Sequence, residues 1–462
     1  MKERKFHMPT AYTILFLLLI LVAAATWIIP AGSYDYVDGV PVAGTYHAVE
    51  QNPQGVGDVL KAAFSGFYDA VDVCIFILMV GGFLGVVMKT GAVDAGVSNI
   101  IRLLGGREKW LIPILMLLFG LGGTTYGMWE ETMAFYPLLI PVFLAAGYDA
   151  VVGISVILLG AGAGVIASTV NPFATGIAAG FAGVSLGEGI VLRLLEWVAF
   201  EAAAIWFVMA YAAKVKKNPS KSVVGVGAGK IQVTMDQQVP FTAKRKVIMA
   251  FFTLTFLIMV YAVVPFDEMG LPLPTLGWWF PELSALFLVA GVVIGLIDRM
   301  SEEELVETYV AGCADLLGVA FIIGISRGIT VLMRDGAITD TILHWGEAAL
   351  SGAGAVSFTL LVFVLYLPLT ILIPSSSGLA TLSIPIVAPL GKFAGVGGDL
   401  VVTAFQSASG LVNILTPTAA VVMGALALGH VPYDRWVKYV WKLMLWFLLL
   451  ALVFLVAGVL LG

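Results

Sequence analysis

Two apolar runs, each long enough to cross a bilayer, are broken at their middles by residues that do not continue a helix. The first is residues 160–180, GAGAGVIASTVNPFATGIAAG, interrupted at Ser168-Thr169-Val170-Asn171-Pro172. Proline removes a backbone donor and disfavours helix in the residue before it, so this helix is expected to open near Asn171. The second is residues 407–424, SASGLVNILTPTAAVVMG, broken around Asn413, Thr416, Pro417 and Thr418. In hydrocarbon an opened backbone is tolerated only where protein, water or a ligand satisfies its polar groups. Paired interruptions in corresponding positions of two halves point to a transporter's binding site.

Composition agrees with that reading. Of 462 residues, 60% are hydrophobic and only 12% charged, which excludes a soluble globular domain and indicates an all-α polytopic membrane protein. The net charge of −6 averages over loops on both faces and decides little. Cys74 and Cys313 both lie in apolar runs, so neither a disulfide framework nor a cysteine metal site is indicated. Lys2, Arg4 and Lys5 precede the first apolar run, as in a signal peptide, but no small-residue cleavage signature follows. Residues 10–30 are therefore expected to be a retained first helix entering from the cytoplasm.

The loop over residues 31–58 carries Asp35, Asp38, Glu50 and Asp58 with no lysine or arginine, and suits an external loop with a small hairpin. A helix over 59–90 returns inward. Residues 110–147 do not read as two ordinary spans. The apolar part, 110–119, is too short to cross ~30 Å of hydrocarbon at about 1.5 Å per residue. It runs into a glycine- and threonine-rich stretch containing Thr124 and Thr125, then Glu130, Glu131, Pro137 and Pro141. A re-entrant hairpin opening inward, with its tip at mid-membrane, is expected. A broken helix over 148–185 and a helix over 190–213 complete a first repeat, 1–213. The linker 214–246 holds eight basic residues, from Lys214 to Lys246, against Asp236, and is placed in the cytoplasm by the positive-inside rule. A connecting helix over 247–265 then leads to a second repeat, 282–462.

The repeat shows in the letters. Met88-Lys89-Thr90-Gly91-Ala92-Val93 resembles Met333-Arg334-Asp335-Gly336-Ala337-Ile338, and Ser65-Gly66-Phe67-Tyr68-Asp69 resembles Ala311-Gly312-Cys313-Ala314-Asp315. Asn171-Pro172 falls opposite Thr416-Pro417, and the matches lie about 245 to 250 residues apart. One unpaired helix separates the halves, so the second copy is expected to be inverted. Its hairpin, 357–395, has a tip at Ser375, Ser376 and Ser377 and should open outward, followed by a broken helix over 398–429.

Two hairpin tips and two broken helices imply four irregular patches near the midplane. Helix N-termini there offer free N–H groups to a carboxylate, and freed carbonyls and hydroxyls suit a hard cation such as sodium. Intramembrane charges are costly, so Glu131, beside Glu130, and Arg327 are candidate contacts for an amine and a carboxylate, or else structural partners. The substrate-binding candidates are Thr124, Thr125, Glu131, Ser168, Asn171, Arg327, Ser375, Ser376, Ser377, Asn413 and Thr416. Thr125, Asn171, Ser377 and Asn413 are the candidate sodium ligands, with a proton as the other coupling ion. No resident cofactor is expected.

Enzyme signatures are weak. Gly183-Val184-Ser185-Leu186-Gly187 matches G-x-S-x-G but lies in an external turn without a strand-to-helix elbow. Gly225-Val226-Gly227-Ala228-Gly229-Lys230 lacks the first glycine and the Ser/Thr of a phosphate loop, so no nucleotide site drives transport. The histidines are scattered singly, which gives metal hydrolysis no support.

The segments GLGGTTYGMWEET, ASTVNPFATG, ISRGITVLMRDGAITD, IPSSSGLATLSIPIVAPLG and NILTPTAAVVMG resemble the YfcC-like branch of the anaerobic C4-dicarboxylate carrier (DcuC-like) family, over nearly the whole chain. The resemblance places the chain in the ion-transporter superfamily. It implies a homodimer with a scaffold domain and a mobile domain that moves as an elevator. It also puts the first tip at Thr124-Thr125 and the unwound segments at 168–172 and 413–417. Sodium-coupled relatives carry Ser-Asn-Thr at their tips, which this sequence does not. Carriers near this branch are labelled for dicarboxylates, arginine and ornithine, or short-chain acids.

The expected protein is thus a secondary active transporter in the plasma (inner) membrane of a prokaryote, not an enzyme. Its solute would be a small carboxylate-bearing metabolite, either a C4-dicarboxylate or an amino acid such as arginine or ornithine, moved by ion coupling or exchange. A sodium/proton antiporter of the same superfamily is the alternative, with a membrane enzyme or a channel further off. Solute and lipid are the expected partners, and nucleic acid is not.

Overall fold

A computed structural model describes residues 11–461 apart from 38–39, 94, 97–98, 100–106, 186, 226–239, 264–265, 267–271 and 279. The basic start at Lys2, Arg4 and Lys5, Arg102, Lys230, Asp236, Asp267 and Glu268 lie outside the described residues. The chain is helical almost throughout, the arrangement in which an apolar segment satisfies its own backbone. Among the described residues five helices are long and apolar enough to cross a membrane.

Helix α1 spans Ala11–Ala25, shorter than the expected 10–30. Two small antiparallel pairings follow in the loop, Gly32–Ser33 with His47–Ala48 and Tyr36–Val37 with Val40–Pro41. The expected helix 59–90 is two, α2 (Val56–Asp69) and α3 (Val71–Lys89), broken at Ala70 with φ −130° and ψ 25°. Freed N–H groups at a helix start need acceptors, and Asp72 supplies one by accepting from Val73 N at 2.8 Å.

Helix α4 (Leu111–Tyr126) carries Thr124 and Thr125 in its last turn, so the turn lies at Gly127-Met128-Trp129 and not at the two threonines. Gly127 takes φ +76°, a left-handed cap that glycine adopts without strain. A 3₁₀ stretch, Glu130–Phe135, leads into α5 (Tyr136–Ala145). Helix α6 (Ala150–Ile166) ends before Asn171, a π-turn covers Pro172–Gly176, and α7 (Ile177–Ala182) follows. Helix α8 runs Ile190–Lys217, past the expected 213, because Lys214, Lys216 and Lys217 favour the negative end of the helix dipole. The connecting helix α9 is Ala243–Val263.

In the second half, α10 spans Phe280–Asp298 and α11 Glu302–Asp335. The latter starts at a Ser301 cap with Glu302, Glu303 and Glu304 in its first turn, charges that suit a helix N-terminus. Then come α12 (Thr339–Leu350), α13 (Ala355–Leu372), α14 (Ser376–Phe393), α15 (Gly398–Asn413), α16 (Ala420–Leu428) and α17 (Tyr433–Leu461). The second broken helix is therefore α15 and α16, with residues 414–419 between them.

Helices α2, α3 and α11 form one packing unit, with α1 against α11 and α10 against α3. Small residues let the backbones close: a Cβ on Gly66 would overlap Gly324 and Gly328, and one on Gly81 would meet the Gly312 carbonyl at 2.5 Å. The remaining helices interlock. The first arm of each helix–turn–helix packs on the first half of its own broken helix, α4 on α6 and α13 on α15. Of the second arms, α14 reaches across to α7, while α5 packs mainly on its own α6 and only lightly touches α16. Consequently both turns and both breaks converge on α2, α3 and α11.

Candidate functional site

The first turn is fastened to the first break before either meets a solute. Gly164 of α6 packs on the backbone of Gly120 and Thr124 of α4, Gly123 of α4 on that of Ala161 and Val165, and Gly160 on that of Met116. That closeness lets Thr169 N donate to Thr124 O at 2.9 Å and Thr124 Oγ1 donate to Ala167 O at 2.8 Å. Thr169 Oγ1 also donates to Thr124 O at 2.9 Å. Thr124 is thus a clasp on the opened backbone. Thr125 donates its hydroxyl to Leu121 O in its own helix. At the turn a Cβ on Gly127 would strike the Asn171 side chain, which itself accepts from Ala174 N at 3.3 Å.

The second turn presents a helix start. Ser375 caps α14 by accepting from Gly378 N at 3.2 Å, and Ser376 and Ser377 follow in the first turn, where N–H groups and dipole favour an anion. At the second break the freed carbonyls are taken by neighbours. Tyr433 donates to Leu415 O at 2.7 Å, Trp436 to Ile414 O at 3.1 Å and Ser326 of α11 to Thr418 O at 2.7 Å. Thr416 shares its hydroxyl with Thr418 at 2.8 Å.

These elements enclose a cavity of about 230 Å³. Gly127, Trp129, Glu130 and Glu131 line it from the first turn, Asn171 and Asn413 from the two breaks, and Pro374 to Ser377 from the second turn. Asp69, Ala70, Asp72 and Val73 line it from the break between α2 and α3, and Arg327 from α11. A side chamber of about 40 Å³ joins Glu130, Ser326 and Arg327 to Asn413 and Thr418. Glu131 is buried and accepts from Trp129 N at 3.1 Å, so one of its oxygens is committed to the turn.

Of the residues singled out from sequence, Glu131, Asn171, Arg327, Ser375, Ser376, Ser377 and Asn413 thus line one cavity. Thr124, Thr125, Ser168 and Thr416 are not among its lining residues. The sodium set is split likewise, since Asn171, Ser377 and Asn413 meet and Thr125 does not join them. Asp69, Asp72 and Trp129 are lining residues that sequence reasoning missed. Two aspartates three residues apart inside an apolar run were the available signal, because intramembrane acids are rarely idle.

The cavity therefore sets four carboxyls, Asp69, Asp72, Glu130 and Glu131, against one guanidinium, Arg327. Asp69 is partly offset by Arg334, whose Nη1 lies 3.8 Å away. Arg327 and the α14 start can take a carboxylate, and the acids can take one or more cationic groups.

Helices of membrane-crossing length, with two turns and two breaks closing on a polar cavity, define a membrane transport protein. The sequence model of DcuC, the C4-dicarboxylate anaerobic carrier, matches residues 8–460, and the chain belongs to that family. It is 35% identical over 510 residues to an uncharacterised protein of Haemophilus influenzae, covering 99% of this chain and 98% of that one. It is 30% identical over 484 residues to the putative basic amino acid antiporter YfcC of Escherichia coli, covering 94% and 93%. Among solved structures it is similar to the Alcanivorax borkumensis YdaH transporter, with TM-score 0.45 and 14% identity over 97% of this chain and 98% of that one. Neisseria gonorrhoeae MtrF, of a class of antimetabolite efflux pumps, gives TM-score 0.45 and 17% identity over 97% and 94%.

Proposed function

We propose that the protein is a secondary active carrier for a cationic amino acid of the arginine or ornithine type. The carrying observation is the charge of the cavity: four carboxyls face one guanidinium. A C4-dicarboxylate would bring two more negative charges against those acids. An amino acid with a basic side chain places its carboxylate on Arg327 and the α14 start, and its amines on Glu131, Asp72 and Glu130. The cavity of about 230 Å³ lies below the range of drug-sized pockets and suits a small metabolite. The name of the Escherichia coli relative points the same way.

In this reading the two helix–turn–helix pairs are re-entrant hairpins, the first opening to the cytoplasm and the second outward. The repeats are inverted, the N-terminus is cytoplasmic in a prokaryotic inner membrane, and the carrier is a homodimer. The hairpins and broken helices carry the solute as an elevator past α2, α3 and α11. Asp69, Asp72 and Arg327 then stand on the fixed side and the serines and asparagines on the moving side. Sodium or a proton supplies the drive.

Counterflow of labelled arginine, ornithine and succinate in proteoliposomes tests this. Arginine or ornithine exchange that is abolished by Glu131→Gln is expected. Succinate exchange with no movement of either basic amino acid would overturn the substrate class.

A further inference from the structure

Away from the cavity, α8 carries three ionisable residues in its buried face, Arg193, Glu196 and Glu201. Arg193 and Glu196, one turn apart, are 1% and 0% exposed. Glu196 Oε1 accepts from Ser407 of α15 at 2.9 Å, while its Oε2 has no hydrogen-bond partner among the described residues. Burying a carboxyl oxygen unpaired is costly, so its place calls for an explanation.

Helix α15 supplies one. Gln406, Ser409 and Asn413 recur at helical spacing on one face, all buried, and each leaves an oxygen without a partner: Gln406 Oε1, Ser409 Oγ and Asn413 Oδ1. Asn413 lines the solute cavity; at the other end Gln406 donates to Val165 O of α6 at 2.7 Å and precedes in sequence Ser407, the partner of Glu196. The row covers roughly 10 Å at about 1.5 Å per residue, too long for one ion and suited to a file of hydrogen-bonding water.

We infer that Glu196 is the proton-exchanging carboxyl of the carrier, joined to the solute cavity by the polar lane of Asn413, Ser409 and Gln406. The inference rests on the reading of the protein as an ion-coupled carrier. A proton from water in the cavity passes along the lane to the Glu196 carboxylate and returns to water after the moving part has crossed.

The charges around Glu196 suit this. Arg193 is the charged side chain that acts on it, and Asp399 of α15 lies beside Arg193 at Gly189. Loading a proton takes the Asp399, Arg193 and Glu196 set from a formal charge of −1 to zero. Helix α6 carries no titratable residue, and α4 carries none from Leu111 to Thr125. Helix α17 keeps its titratable groups between Tyr433 and Lys442. Tyr439 there packs on Phe207 and Tyr211, while near Leu192 the helix presents Gly458. On α8 itself Glu201 faces Gly120 with neither oxygen partnered, which makes it the natural comparator.

The test compares wild type, Glu196→Gln, Glu201→Gln and Ser409→Val. Infrared difference spectra of the purified protein on acidification need no solute. The titrating carboxyl band should lose one component in Glu196→Gln that Glu201→Gln retains, the cavity acids contributing alike to both; a band in Glu196→Gln identical to wild type would overturn the proposal. In proteoliposomes Glu196→Gln should keep arginine counterflow and lose accumulation driven by a pH gradient, and Ser409→Val should slow that accumulation. Accumulation by Glu196→Gln at the wild-type level, or its loss in Glu201→Gln alone, would also overturn it. Should wild type move no arginine, the substrate reading fails by itself and the infrared result still decides the proton site. Should Glu196→Gln not fold, Ser409→Val decides, because unslowed accumulation removes the lane.

Discussion

Replacing Gly164 by alanine tests whether helix packing sets the geometry of the first break. The added Cβ would overlap Gly120 O and lie 2.7 Å from Thr124 N, against an ordinary contact of 3.4–4 Å. Both neighbours are backbone, so α4 must move outward by roughly 1 Å. Thr124 sits at that contact, and its carbonyl accepts from Thr169 N at 2.9 Å. Displaced by that much, the bond passes beyond useful length. Overpacking of this kind costs about 1–3 kcal/mol, and a weakened backbone bond adds about 1 kcal/mol. A loss of about 2–4 kcal/mol is therefore expected, seen as a lower thermal midpoint in detergent. Solute exchange should fall with it, because Gly127 and Asn171 no longer meet at the cavity wall. Gly180→Ala is the matched control: nothing lies within 4 Å of its Cβ position, and alanine improves helix propensity in α7. Wild-type stability and exchange in Gly164→Ala would refute the reasoning.

Asp72→Asn removes a charged acceptor from the cavity wall, and the loss of a charge-assisted bond costs about 1.5–3 kcal/mol. The KM for arginine counterflow should rise about ten- to hundredfold, and an unchanged KM would remove Asp72 from solute binding. On the loop after α1, Tyr34 donates its hydroxyl to Glu347 at 2.8 Å, and burial first, then the Glu347 and Asp340 carboxylates, push its phenol up from the usual range. Its contribution is complete below the ordinary tyrosine value of about 10 and is lost as pH climbs through the raised one. Protease protection of the 31–49 loop should fall at alkaline pH in wild type. In Tyr34→Phe it should be weaker at neutral pH and flatter with pH, and identical profiles would contradict this.

The two breaks at Asn171 and near Thr416 were legible because proline and asparagine stand in membrane-length apolar runs. The first turn was misplaced at Thr124-Thr125 for a physical reason. Glycine and threonine in Gly120 to Gly127 look like a loop, yet Gly120 and Gly123 serve close packing on α6, and Thr125 returns its hydroxyl to Leu121 within the helix. The opposite error hid the break at Ala70. No proline or glycine stands there, and only its neighbourhood, with Asp69 and Asp72 on the cavity, shows what the interruption does.

Proline alone does not decide where these helices open. Pro141, Pro368, Pro385 and Pro389 all lie inside helices that continue past them. What marks the true openings is a donor or acceptor waiting on a neighbouring element. Thr124 receives Thr169 N at the first break, and Tyr433, Trp436 and Ser326 take the carbonyls of the second. Because Ser326 stands next to Arg327 on α11, the second break is tied directly to the wall that carries the cavity's guanidinium. In the proposed binding mode, a solute held between Arg327 and the α14 start would pull on the same contact that keeps the second break satisfied. In the proposed elevator movement the Ser326–Thr418 contact joins the fixed wall to the moving break, and in an apolar medium it is not exchanged for water at little cost, so it must be given up together with the Arg327–solute contact.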